Sequence, residues 1–296
     1  QTCALPILES LSLHFESFHK VGNLGFQSIS NAIAKLTFLK FLTIDFSECL
    51  ALTDLGFVSL ASSLRGLDSL TQLGLHFASC SLISDESVKL ISDTLKSLKV
   101  NKISLTFDKC TAITDAAIQA LSSVLSAIPN LSILKLYFRG CSKIRDHSFE
   151  LLATSLETLK DLEELKLDFS SSQISDSGIR LLSQALESMR KLTTLYLFFN
   201  DCKKIGKLAI EKLTQTIKRI STLKNQTLEF EGCGMMLGVL DLASPISEES
   251  EEDAISEEDE VDDELDDDSS DEHYSPYHID LESDYEELDR YLDYNT

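Results

Sequence analysis

Apolar side chains return along this chain in a fixed phase. Phenylalanine stands at positions 15, 46, 77, 107, 138, 169, 199 and 230, at intervals of 30 or 31 residues. Seven positions before each Phe lie Leu8, Leu39, Leu70, Val100, Leu131, Leu162, Leu192 and Leu223, and two before it Leu13, Ile44, Leu75, Leu105, Leu136, Leu167, Leu197 and Leu228. The column four before the Phe is aliphatic until Gln226 breaks it in the last repeat. Two periods alternate inside each unit. Leu73-Gly74-Leu75-His76-Phe77 alternates, which predicts a short strand with one buried face. Phe57, Leu60, Leu64 and Leu67 then recur at three and four residues, as do Ile118, Leu121, Leu125 and Ile128, and Ile179, Leu182, Leu186 and Met189. That spacing predicts an amphipathic helix of about three turns.

Aspartate recurs at 54, 85, 115, 146 and 176, just before each predicted helix, where a carboxylate can cap open amides or oppose the helix dipole. Two positions later the side chain is always small: Gly25, Gly56, Ser87, Ala117, Ser148, Gly178 and Ala209. A second small column (Ser30, Ala61, Ser92, Ser122, Ala153, Ser183, Thr214) lies beside the helix stripe and would let helices approach closely. One strand-turn-helix unit cannot bury both its apolar faces alone, so eight are expected to stack around one interior. The first unit, with Phe18 and Asn23 in its turn, and the last, with Gln226 and Gly232-Cys233-Gly234, read as end units.

The spacing of LTQLGLHFASCSLISDESVKLISDTLKSL and its relatives resembles a leucine-rich repeat of the long, ribonuclease-inhibitor-like class, over about residues 5–240. The resemblance implies an α/β solenoid curved into a horseshoe of about eight units of 30–31 residues. Helices would lie on its convex side and a solvent-facing strand surface on its concave side. The strand and turn are about two residues longer than in the commoner unit, and the added Phe reads as an inward plug. The expected organisation is a solenoid over 1–240, an acidic low-complexity segment over 241–272 that lacks the apolar area for a core, and a Tyr-rich segment over 273–296 with a short helix or linear motif.

Six of the seven cysteines share one repeat position, Cys49, Cys80, Cys110, Cys141, Cys202 and Cys233, with Phe18 in the first unit's slot and Ser172 in the sixth's. Lined up one per unit, they read as a buried thiol ladder rather than a convergent metal site. Reduced thiols favour an intracellular chain, cytoplasmic or nuclear. The chain opens at Gln1, so a leader or further domain removed upstream is an expectation. No run reaches 18 apolar residues, so no membrane span is expected.

Charge divides the chain. Of 49 acidic and 26 basic residues, 25 acids and only Arg290 among the bases fall in 241–296, leaving residues 1–240 nearly neutral. Between Glu248 and Glu272, 17 of 25 residues are acidic, and Ser250, Ser256 and Ser269 stand in the context of acidophilic-kinase substrates. The sign excludes direct nucleic-acid binding by this segment and suits a basic protein partner.

On the expected concave face, Lys135, Tyr137, Arg139, Lys166, Tyr196 and Phe198 form an aromatic and basic cluster of the kind that anchors protein interfaces. His76 stands one rung from Asp45. No strained Ser or Cys elbow, phosphate-cradling Gly-rich loop or zinc-ligand spacing is present, so the expectation is a non-enzymatic interaction scaffold without cofactor or metal. Two alternatives come from families that join repeats to an acidic region: histone-chaperone-like binding of basic proteins, and a GTPase-activating protein. The Cys slot holds Asn in the latter family, so no catalytic residue transfers from it.

Overall fold

A computed structural model describes residues 7–128 and 130–234. The chain divides into two units, Gln1–Ile246 and Ser247–Thr296. The acidic segment, Ser250, Ser256, Ser269 and the Tyr-rich segment lie outside the described residues.

Strand and helix alternate without interruption: β1 (Ser10–His14), α1 (Asn23–Ile33), β2 (Phe41–Asp45), α2 (Asp54–Leu64), β3 (Gln72–His76), α3 (Asp85–Leu95), β4 (Lys102–Thr106), α4 (Asp115–Leu125), β5 (Ile133–Tyr137), α5 (Asp146–Leu156), β6 (Glu164–Asp168), α6 (Asp176–Glu187), β7 (Thr194–Phe198), α7 (Lys207–Lys218) and β8 (Asn225–Glu229). All strands are parallel and lie in sequence order, with β1 and β8 as the edges. Each helix packs on the next, so the helices form one layer against the sheet. The register steps by one repeat: Leu75 pairs with Leu105, Leu105 with Leu136, and Leu136 with Leu167.

The alternating Leu residues, the Phe after each strand and the helix stripe close a single core. Leu42, Ile44, Phe46, Phe57, Leu60 and Leu64 are all fully buried. Each such side chain contributes about 1.5–3 kcal/mol by leaving water. The Phe rings stack from unit to unit, with centroids 5.9 Å apart for Phe77 and Phe107, 5.7 Å for Phe107 and Phe138, and 5.6 Å for Phe138 and Phe169. The inward plug is thus a continuous aromatic column.

The horseshoe expectation is corrected here. The eight strands form a parallel, uncurled sheet, a (βα)8-like alternation left open at both edges. The period fixed the content of one unit and its order of neighbours. The arc came only from the resemblance to leucine-rich repeats, and with it go the solenoid and ribonuclease-inhibitor-like descriptions.

Four of the seven described helices start in the same way. Thr53, Ser84, Thr114 and Ser175 are the N-caps, each accepting from a backbone amide two residues on. The recurrent Asp is the first helical residue and looks sideways. Asp54 accepts from the Ser84 amide at 2.9 Å, the Ser84 hydroxyl at 2.7 Å and the Ser87 hydroxyl. Asp85 accepts from the Thr114 amide and hydroxyl, each at 2.7 Å, and Asp115 from the Arg145 amide at 2.7 Å. The small column faces this junction: a Cβ on Gly178 would lie 2.7 Å from an Ile174 methyl and 2.8 Å from an Asp146 oxygen.

After each Phe the backbone turns through a left-handed residue. Ser17, Glu48, Ser79, Lys109, Ser171 and Asp201 have φ of 57–62° there, and Gly140 and Gly232 occupy the same slot. The turn aims the next cysteine inward. Cys49, Cys80, Cys110, Cys141, Cys202 and Cys233 are free and buried. Their thiols donate to Phe15, Phe46, Phe77, Phe107, Phe169 and Phe199 carbonyls at 3.0–3.3 Å.

Candidate functional site

The face of the sheet away from the helices carries the polar columns. Strand register aligns Asp45, His76, Thr106, Tyr137, Asp168 and Phe198 in one row. A second row, two residues earlier, runs Gly74, Ser104, Lys135, Lys166 and Tyr196.

Side chains on adjacent parallel strands stand about 4.8 Å apart and cover one another's flanks. The result is a nearly closed surface: Asp45 is 1 % exposed, Thr106 and Tyr137 4 %, His76 5 % and Asp168 8 %. The expected solvent-lined concave surface, and the scaffold mechanism that depended on it, are therefore corrected. The histone-chaperone-like and GTPase-activator alternatives fall with the repeat-family assignment on which they rested.

The six predicted interface residues occupy three settings on this face. Lys166 carries its ammonium 5.2 Å from the Tyr137 ring centroid, 5.4 Å from Tyr196 and 5.9 Å from Phe198. One cation from β6 is thereby held over three rings, one drawn from β5 and two from β7. Lys135 is buried and pairs with Glu164 at 3.3 Å. Arg139 lies past the end of β5, half-buried, and its backbone amide donates to Asp108 Oδ1 at 2.7 Å. Four of the six residues thus converge, and the other two lie beside them.

Hydrogen bonds tie the row together. His76 Nδ1 and Thr106 Oγ1 are 2.8 Å apart, joining β3 to β4. Asp45 and Asp168 each accept from the amide two residues on, Ser47 at 2.8 Å and Ser170 at 2.9 Å. In the column after the Phe, side chains accept from the matching amide of the next unit: Ser47 from Ala78 at 3.2 Å, Ser170 from Asn200 at 3.1 Å, and Asn200 from Glu231 at 2.7 Å. Asp108 holds Arg139 in the same way, and it is the charged member of that set. Its other oxygen is buried without a hydrogen-bond partner.

Electrostatics separates three groups of residues. Burial, opposed by hydrogen bonds from Ser170, raises the Asp168 carboxyl. Burial dominates at the thiols too, raising Cys80 and Cys141 to about 12. Asp54 moves the other way, because the Ser87 and Ser84 hydrogen bonds to its carboxylate outweigh its burial. Periodicity flagged the thiols and Asp54, whereas nothing in the sequence singles out Asp108, since Glu16, Arg139 and Glu231 are charged members of the same column. Among the described residues, no group of three or more His, Cys, Asp and Glu is arranged to hold a metal ion, and no helix is long and apolar enough to cross a membrane.

No protein-family model matches the chain, and no curated protein matches it. Among solved structures, it is similar to a protein of Bacteroides fragilis at 14% identity and a TM-score of 0.41, covering 74% of this chain and 64% of that one. It is also similar to a chain in the Rad7–Elc1 complex of yeast at 13% identity and a TM-score of 0.31, covering 81% of this chain and 79% of that one. The chain spans less than two thirds of the Bacteroides protein. At these scores neither likeness carries an argument about fold or activity, and the leucine-rich repeat resemblance finds no relative to support it.

Proposed function

We propose that this chain is a non-catalytic, intracellular protein that binds a protein partner of basic character. The observation behind this reading is the division of charge: the net charge of −23 arises almost wholly after residue 240. A field of that sign raises the local concentration of a cationic partner and speeds its encounter. Two features support the non-catalytic part. Each described thiol donates to a carbonyl and is pushed up by burial, so none of these six is a thiolate nucleophile near neutral pH. In the polar row, His76 bonds Thr106 on the next strand, and Asp45 and Asp168 accept backbone amides of their own turns.

The test is association of the full chain with a lysine-rich polypeptide and with a glutamate-rich one, across a salt series. The expected result is salt-sensitive binding to the lysine-rich probe alone, lost when the acids of 248–272 are replaced by Gln and Asn. Equal binding of both probes, or no loss in the replaced chain, would refute the reading.

A further inference from the structure

The polar face holds one carboxyl group whose surroundings are only half completed. Asp108 is 2 % exposed. Its Oδ1 accepts the Arg139 amide, a task that a neutral hydroxyl performs at Ser47 and Ser170 and a neutral amide at Asn200. Its Oδ2 is buried with no hydrogen-bond partner. A negative charge is thus unnecessary for the amide contact and costly for the second oxygen. The neutral acid removes that cost, and a proton is a ligand small enough to enter so closed a site.

We infer that Asp108 is a proton-operated switch at the junction of β4 and β5, neutral when the two units are locked and ionised when they loosen.

The groups facing it act in both directions. Asp168, from the end of β6, opposes its ionisation, while Arg139 beyond β5 and Lys109 in its own turn favour it. The Cys110 and Cys141 thiols lie within its field and become harder to ionise because of it. Burial is the largest influence, and together these hold the Asp108 carboxyl up at about 7. The unfolded chain, with an ordinary value near 3.8, has already released this proton in mildly acidic solution. Between those values the folded state binds one proton more than the unfolded state, so its stability falls as pH rises and levels off above neutrality.

The test uses the full chain, with denaturant unfolding followed from pH 5 to pH 8.5. Carboxylates that stay in water titrate alike in both states and add no slope. The expected result is a folding equilibrium constant that falls by up to about tenfold per pH unit toward neutrality. Asp108→Asn, which keeps the acceptor for Arg139, should flatten that slope by about one proton while leaving the Asp168 contribution. If the Asn variant fails to fold, Asp108→Ser supplies the hydroxyl used at Ser47 and Ser170. Direct titration of the Asp108 carboxyl by ¹³C NMR, assigned by its loss in either variant, should show a midpoint near neutrality. A midpoint below pH 5, or an unchanged slope in the folded variants, would overturn the inference.

Discussion

The thiol of Cys110 donates to the carbonyl of Phe77, one unit earlier, at 3.1 Å. In six units the cysteine three residues after an aromatic plug thereby satisfies the carbonyl of the plug before it, so side-chain packing and backbone pairing are fixed by the same turn. These thiols are closed to water and resist ionisation. In a Cys3→Ser background, a thiol reagent at pH 8 should leave the six ladder cysteines unmodified until denaturant unfolds the chain. Rapid labelling of Cys110 or Cys141 in the folded protein would count against the burial. Because the folded thiols titrate above the unfolded value of 9.0, stability should also fall as pH rises beyond 9.

The aromatic column makes its own prediction. Phe138 stacks on both neighbours and is fully buried, whereas Phe15, at the β1 edge, is only partly covered. Phe138→Ala should cost about 3–5 kcal/mol, mostly from the cavity it leaves. Phe15→Ala should cost clearly less, and denaturant midpoints of the two variants decide it.

Asp54 gives the opposite pH sign from Asp108. Hydrogen bonds from Ser84 and Ser87 lower its folded value below the ordinary 3.8. Its contribution is therefore present above that value and lost as pH falls through the depressed one. Asp54→Ala should destabilise the chain by about 1–3 kcal/mol at neutral pH. The difference from the parent chain should shrink in strong acid, as measured by urea unfolding at pH 7 and pH 2.5.

The turn column stores conformational cost in residues other than glycine. Ser79→Gly should stabilise the chain by about 0.5–1 kcal/mol, since glycine adopts the left-handed backbone freely. Gly140→Ala, at φ of 75°, should destabilise it by a similar amount. Thermal unfolding of both variants checks the pair.

Much of this architecture was legible in the sequence. Leu73, Leu75 and Phe77 alternate because strand side chains do, and Phe57, Leu60 and Leu64 recur because one helix face is buried. The recurrent Asp is legible as a residue of the helix start, but its partners are 29–33 residues away and invisible to local reasoning. Curvature was not legible, because the period specifies neighbours rather than the shape of the whole sheet. Nor was the closure of the polar face: Tyr137 and Asp168 occupy outward positions and are covered by flanking strands. Asp108 is covered in the same way, at 2 % exposure.

The sideways carboxylate at five of the seven described helix starts sets how the chain can change length. Asp54, Asp85 and Asp115 each address the cap of the following helix, so each of these boundaries carries an equivalent plug and socket. Duplicating or excising one complete period keeps each plug matched to a socket and the Phe column in phase. Losing a fraction of a period strands a carboxylate opposite an apolar wall, so whole cassettes are the natural quantum by which this chain can grow or shrink.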